Sequence, residues 1–183
     1  MSQDPEPPPV AIRPERPGDE AAIAAVVEAA FGSPAEARLV GAIRASPQFI
    51  PELSLVAEIG ARIVGHVMIS EASLEDGGML HRIVTLSPLA AAPDVHGRGV
   101  GSALVREVIA RADERGEPLV VLEGNPRYYG RFGFEHSVPY GIRIDLPPWA
   151  PATAAQVLRL RAYDPALRGR VVYPPAFSDV IGD

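Results

Sequence analysis

Seven residues near the middle of the chain, His96-Gly97-Arg98-Gly99-Val100-Gly101-Ser102, have the make-up of an anion site. Glycines at alternate positions let the backbone pass close to a ligand and adopt conformations closed to other residues. Ahead of them, Val84 to Ala91 is an apolar run with β character, and Pro93-Asp94 begins a turn. After them, Val100, Leu104, Val108 and Ala112 fall at helical spacing, which predicts a helix from Val100 to about Arg111. A helix starts with unpaired N–H groups and the positive end of its dipole. Strand, glycine loop and helix start together suit a phosphate-bearing anion, and pyrophosphate fits best. A tight strand-to-helix turn that binds nothing would share this local pattern.

Two familiar nucleotide loops do not fit. A P-loop needs Gly-x-x-x-x-Gly-Lys-Ser/Thr, and all 17 basic residues of this chain are arginine. A dinucleotide fingerprint needs Gly-x-Gly-x-x-Gly near the start of a βαβ unit, whereas Gly97, Gly99 and Gly101 stand two apart.

A third pattern does fit. The segment resembles motif A of the GNAT superfamily of acyl-CoA N-acyltransferases: an apolar strand, a proline two residues on, then Gln/Arg-x-x-Gly-x-Gly/Ala. Here these are Leu89-Ala90-Ala91, Pro93 and His96-Gly97-Arg98-Gly99-Val100-Gly101, with His96 in the usual Gln/Arg place. That departure affects little, because the phosphate contacts come mainly from backbone N–H groups. The superfamily's closing motif, Tyr-x-x-x-Gly-Phe, is matched from Tyr129 to Phe134. The fuller run from Leu122 to Phe134, with Tyr173-Pro174-Pro175-Ala176-Phe177 near the end, looks like one branch of acetyltransferases. The resemblance covers roughly residues 10 to 177.

The resemblance implies an acetyl-CoA-dependent N-acetyltransferase, an acyltransferase of groups other than aminoacyl groups. CoA would lie beside Leu89, Ala90 and Ala91, with its pyrophosphate on His96, Gly97, Arg98, Gly99, Val100, Gly101 and Ser102. Tyr129 matches the tyrosine that protonates the departing thiolate; the lesser alternative is a core aromatic with a hydrogen-bonded hydroxyl. Tyr128, its neighbour, is expected to face elsewhere and pack. Glu123, at a strand end, resembles the base position of some relatives and suits a surface salt bridge as well. Asn125 matches an asparagine that touches CoA, but it lies only four residues before Tyr129, and a plain turn or N-cap role fits too. Glu36 is a second base candidate already explained by a capping box. Arg131 reads as a phosphate contact or, better, a solvated charge. His66 and His81 lie in strands and read as packed or exposed rather than catalytic. No metal is implied. The competing class is a CoA-binding regulatory or structural module without turnover, in which the glycine loop would be equally intact.

Composition agrees with a soluble enzyme. Hydrophobic residues make up 47% and charged residues 22% of 183, the balance of a globular domain able to bury a full core. No run reaches the ~18 apolar residues of a membrane span. Cysteine is absent, which removes disulfides, thiolate metal sites and a cysteine nucleophile, and fits a cytoplasmic protein. A net charge of −6 without a basic block argues against nucleic acid as a partner and weakly favours a cationic small-molecule or peptide amine. Monomer and homodimer are both open.

The remaining elements follow from local pattern. A first strand is expected over Val10 to Pro14. A helix capped by Asp19 follows, then a second opened by Ser33, Pro34 and Glu36 as a capping box. Leu53 to Ile59 and Arg62 to Glu71 should form a hairpin, and His81 to Ala91 the strand feeding the loop. Leu119 to Leu122 is a short central strand. Ile142 to Leu146 and Val157 to Tyr163 could pair, Arg170 to Tyr173 could add one more strand, and Pro174-Pro175 would begin a tail. That order is the one the resemblance implies, so the expected fold class is α/β (α+β), the GNAT fold: a mixed sheet of about seven strands, splayed in the middle, with helices on both faces. Residues 1–9 read as a disordered, Pro-rich lead-in, 10–137 as the transferase core, and 138–183 as C-terminal strands and tail completing the same domain.

Overall fold

A computed structural model describes residues 9–181, so the expected lead-in lies, apart from Pro9, outside the described residues. In chain order the elements are β1 (Val10–Pro14), α1 (Glu20–Phe31), α2 (Ala35–Arg44), β2 (Ser54–Ile59), β3 (Arg62–Asp76) and β4 (Met79–Ala91). There follow α3 (Val100–Glu114), β5 (Leu119–Glu123), α4 (Pro126–Tyr129), β6 (Glu135–His136), β7 (Ile142–Arg143), β8 (Ala155–Arg159), β9 (Gly169–Val172) and α5 (Pro175–Ile181). Short 3₁₀ turns join several of them.

The strands form one sheet in the order β1-β2-β3-β4-β5-β8-β6, with β9 pairing β3 and β7 at the side. Among the described residues there are nine strands rather than about seven, and two of them, β6 and β7, are only two residues each. Every pairing is antiparallel except β4 with β5 and β7 with β9. The β4–β5 pairing is brief. It holds Val84 to Val120 and Thr85 to Val121, then stops, while β4 runs on to Ala91 and β5 to Glu123. Just past the fork, β4 bulges: Val67 pairs Leu89 and Ile69 pairs Leu86, so Ser87 and Pro88 together oppose Met68. A bulge bends its strand and sharpens the local twist, which turns the end of β4 away from β5.

Each face of the sheet carries its own helices. On one, α3 buries Val100, Leu104, Val108 and Ala112 against β-strand residues such as Val67, Ile69 and Val120. Fully burying a Val or Leu side chain is worth about 1.5–3 kcal/mol, so this stripe fixes α3 firmly. Gly65 lets it approach: a Cβ there would come within 2.8 Å of Val100 and 2.9 Å of Leu104. On the opposite face, α1, α2 and α5 bury Ile23, Val27, Leu39, Ile43 and Phe177 against Val56, Met68 and Ala90.

Four local expectations need correction. Asp19 precedes α1 but makes no cap bond; it accepts from the Arg16 N–H at 2.7 Å and pairs with Arg13, a partly buried ion pair that outcompetes the cap. The capping box at α2 is not formed: the Ser33 hydroxyl accepts from Ala35 at 3.1 Å, and Glu36 makes no reciprocal bond. Ile142–Arg143 and Ala155–Arg159 do not pair with each other. β8 instead lies between β5 and β6 and is buried along all but its last residue, as a central strand must be. The expected tail is a helix, α5, whose opening proline suits a first helical turn and whose Ala176 and Phe177 join the core.

Candidate functional site

The glycine loop sits where the fork places it. Gly97 and Gly99 have φ of 78° and 77°, the left-handed region that glycine enters without a Cβ penalty. The Arg98 N–H is spent on the Val95 carbonyl at 3.2 Å, and the first bond of α3 runs from the Ala103 N–H to the Gly99 carbonyl at 3.0 Å. The N–H groups of Val100, Gly101 and Ser102 are left as the open first turn, with the dipole's positive end behind them. They face a cavity of about 430 Å³. Its walls include Leu89, Ala91, Val95, His96, Gly97 and Gly99, with Val100, Gly101 and Ser102 at its floor and Tyr128 and Arg131 closing it. Among the described residues no carboxylate lines it. Arg131 donates to the Ser102 hydroxyl at 3.4 Å and to the Tyr128 carbonyl at 3.2 Å, and lies 4.6 Å from the Tyr128 ring centre. Orphan donors, a free cationic edge and the absence of any acid suit the pyrophosphate of CoA.

On the other side of Leu89 is a second cavity, of about 270 Å³, with the opposite chemistry. Glu36 and Leu39 of α2, Pro88 of the β4 bulge, Glu123 and Gly124 at the end of β5, and Tyr129 enclose it. Two carboxylates line it and no basic side chain does. One carboxylate oxygen of Glu36 is buried with no hydrogen-bond partner. Glu123 ends β5 still in contact with solvent, yet the cavity walls remove enough water to push its pKa up, and the negative charge of Asp145 adds to this. Tyr129 is deeper; burial, with a smaller effect of Tyr128, pushes its pKa up to about 12. Its hydroxyl is therefore protonated at any working pH.

Tyr129 is fixed from several sides. The Asn125 carboxamide oxygen accepts from the Arg127 N–H at 2.9 Å and caps α4. The Tyr129 ring lies on Gly124 so closely that a Cβ there would come within 2.6 Å of it. The Gln156 amide donates to the Gly124 carbonyl at 2.9 Å, and the Phe134 ring meets Tyr129 edge-on at 5.8 Å.

The structure gathers most of the residues singled out in the sequence, in two groups. Leu89, Ala91, His96, Gly97, Gly99, Val100, Gly101 and Ser102 line the loop cavity. Ala90 does not: it points into the core on the α1–α2 face and is 2% exposed, since neighbours along a strand face opposite ways. Arg98 is exposed between its glycines and is not part of the lining. Asn125 lies beside neither the loop nor its cavity and serves as a helix cap. Tyr128 packs as expected, its ring edge-on to Tyr129 at 4.9 Å and to Phe132 at 5.5 Å, and it also brings its hydroxyl to 2.8 Å from where a Cβ on Gly101 would stand. Val95 and Arg131 also join the loop cavity. Tyr129, Glu123 and Glu36 share the second one. His66 is wholly buried and belongs to neither. Glu36 was obscured by its fit to a capping box; a signal existed in that it is the only acid within the otherwise apolar and small stretch from Phe31 to Ala37.

Comparisons with known proteins agree with this geometry. A family model described as an acetyltransferase (GNAT) domain matches residues 11–137. The chain is 35% identical over 159 residues to the uncharacterized N-acetyltransferase YhbS of Escherichia coli K12, covering 86% of this chain and 90% of that one. It is also 35% identical over 120 residues to the uncharacterized N-acetyltransferase YjhQ of the same organism, spanning 65% of that relative's length. Among solved structures it is similar to Escherichia coli YhbS in complex with CoA, with a TM-score of 0.84, 31% identity, and coverage of 97% of this chain and 96% of that one. It is similar as well to a GNAT family acetyltransferase from Brucella melitensis in complex with acetyl-CoA, with a TM-score of 0.74, 32% identity and coverage of 92% and 97%.

Proposed function

The chain belongs to the GNAT family of N-acetyltransferases, and from that premise we propose that it moves an acetyl group from acetyl-CoA to a primary amine by direct attack, with Tyr129 as the proton donor to sulfur and Glu123 as the base. The observation that carries this reading is that Leu89 lines both cavities. An anion site and a carboxylate-lined site meet at one strand, at the point where β4 has left β5. That is where a thioester must sit if its pyrophosphate is on the loop and an amine waits on the other side.

When bound, acetyl-CoA supplies the thioester carbonyl; the residues here do the rest. Beyond Thr85 the β5-facing edge of β4 has no strand partner; His96 Nε2 lies 3.3 Å from the Ala91 carbonyl, and the backbone groups before it are open to a pantetheine arm bonding as an added strand would. Backbone N–H groups can also stabilise the charge that develops on the carbonyl oxygen. A free alkylammonium of pKa about 10.4 is neutral only about one part in 2,500 at pH 7, so a proton acceptor is required. The raised pKa of Glu123 moves that carboxylate toward the range useful in a base. As the C–N bond forms and the C–S bond breaks, the nitrogen sheds a proton and the sulfur gains one. With a pKa of about 12, Tyr129 is a weaker acid than a free thiol of pKa about 8.5. Its donation must therefore be concerted with C–S cleavage, its own proton being replaced from the nitrogen, which becomes acidic as it turns into an amide.

Thiol release from acetyl-CoA over a panel of amines, with Tyr129→Phe alongside, tests the proposal. The chain has no lysine, so its own side chains offer no amine to confuse the assay. Tight CoA binding without thiol release for any amine would replace the transferase reading with a CoA-binding module.

A further inference from the structure

The carboxylate cavity shares Glu123 and Gly124 with a second space. Glu123 and Gly124 also form one wall of a groove of about 400 Å³ on their other side. The rest of that groove is almost wholly apolar: Leu146, Pro147, Trp149, Ala150, Pro151 and Ala154, with Asn125 as its one further polar side chain. Trp149 is 84% exposed, the most exposed large apolar side chain in the described residues. The prolines fix the backbone dihedral at their own positions, so the loop presents the indole from a stiffened frame. Cavity and groove together hold two carboxylates and no arginine, although the chain has 17 basic residues. Among the described residues neither Glu36 nor Glu123 takes part in any salt bridge. The nearby Asp145 is paired with Arg170 at 2.9 Å, so that arginine's charge is already answered.

A buried carboxylate oxygen without a partner is costly, and a cation that reaches it recovers the loss. Glu36 has such an oxygen, in a wall of the same cavity as Glu123. We propose that the acceptor is an arylalkylamine: its ammonium lies between Glu36 and Glu123, and its aromatic ring passes Glu123 into the groove and packs on Trp149. An α-carboxylate would find no basic side chain in either space, so free amino acids are excluded in favour of amines without an acid group. The proposal names the acceptor of the transferase read above and rests on that reading for turnover, though not for binding.

Trp149 is the only tryptophan, so its fluorescence reports the groove without any need for turnover. The protein, saturated with CoA, is titrated with 2-phenylethylamine, ethylamine and 3-phenylpropionate, exciting at wavelengths the phenyl ring does not absorb. The expected result is a saturable change with 2-phenylethylamine alone. Glu36→Gln should weaken that binding about tenfold or more, the usual effect of losing a hydrogen bond to a charged group, while CoA still raises the melting temperature as proof of folding. No saturable change with 2-phenylethylamine, an equal change with 3-phenylpropionate, or unaltered affinity in Glu36→Gln would each overturn the proposal. Thiol release is followed in parallel. A fluorescence response without release for any amine supports the acceptor site and sinks the transferase. Release at the same kcat/KM for ethylamine and 2-phenylethylamine, without a fluorescence response, keeps the transferase and sinks the acceptor.

Discussion

The two cavities that meet at Leu89 are built from different materials. The loop cavity is made mostly of one stretch of chain, from Leu89 to Ser102, with Tyr128 and Arg131 added, and its donors are mainly backbone N–H groups at the start of α3. The carboxylate cavity is made of side chains from α2, β4, β5 and α4, brought together only by the fold. In the reading proposed above, one would hold an anion through geometry that almost any side chain would tolerate, provided the glycines stay. The other would hold a cation through two particular acids, one of which has no protein partner among the described residues for a buried oxygen. Backbone sites should therefore fail when something is added, and side-chain sites when something is removed.

The first break comes from adding to the loop. Gly101→Glu puts a side chain where the Tyr128 hydroxyl already stands, 2.8 Å from the Cβ position, and a negative charge where pyrophosphate would bind. A ligand at 100 times its Kd stabilises by about 2.7 kcal/mol, which for a chain of this size is roughly 5–10 °C in Tm. That shift with CoA should vanish in the variant; its persistence would mean that the anion site lies elsewhere.

Removing one oxygen from the other cavity comes next. Tyr129→Phe should lower kcat by about 10²–10⁴ with little change in KM for acetyl-CoA. Tyr128→Phe should do the reverse and more weakly, raising KM for acetyl-CoA a few-fold, because its hydroxyl faces the loop cavity. Equal losses in both would erase the division between the cavities. Steady-state kinetics with varied acetyl-CoA decides this.

Glu123→Gln should remove the acid limb of the pH profile of kcat/KM, because the wild-type carboxylate loses its base form as pH falls through its raised pKa. The same shift bears on stability. A carboxyl whose folded pKa is raised favours the fold at low pH, and that contribution is lost as pH rises through the folded value. Glu123→Gln should thus be slightly more stable than wild type at neutral pH, by less than about 1 kcal/mol given its contact with solvent, with the gap closing in acid. Chemical denaturation at several pH values measures it.

His66 offers a control outside both cavities. It is wholly buried, and burial pushes its pKa down to about 4, with Glu15 opposing, Arg44 assisting and the Leu55 backbone, too poorly aligned for a full hydrogen bond, opposing weakly. In the unfolded chain it takes a proton near pH 6.5, so stability should fall as pH drops from there toward 4, by about 3 kcal/mol in all. His66→Met should flatten that part of the curve without moving the pH profile of catalysis. A change in the latter would mean that His66 communicates with the site.

What could be read from the sequence follows the same division. The glycine loop, its strand and its helix are contiguous, so their function shows in spacing alone. Tyr129 and Glu123 came from the resemblance to a family, not from periodicity. For Glu36 and Tyr128 local pattern offers a sufficient explanation, a capping box and a packed neighbour, and only the fold shows which cavity each one lines. The groove at Trp149 was invisible, since a Pro-rich loop carries no period. The fork itself was expected, but the bulge of Ser87 and Pro88 that opens it depends on the register against β3, which no single strand encodes.

That fork also has a kinetic signature. In the middle of a sheet, amides normally exchange with solvent only through large openings of the structure. The stretch of β4 beyond Thr85 is flanked by well-paired strands yet has one open edge, so its outward-facing amides should exchange as fast as those of a sheet margin. Filling the gap with a pantetheine arm would convert them to interior amides. Deuterium uptake confined to residues 86–91, slowed by CoA and by nothing that occupies the carboxylate cavity alone, would show the ligand behaving as a missing strand.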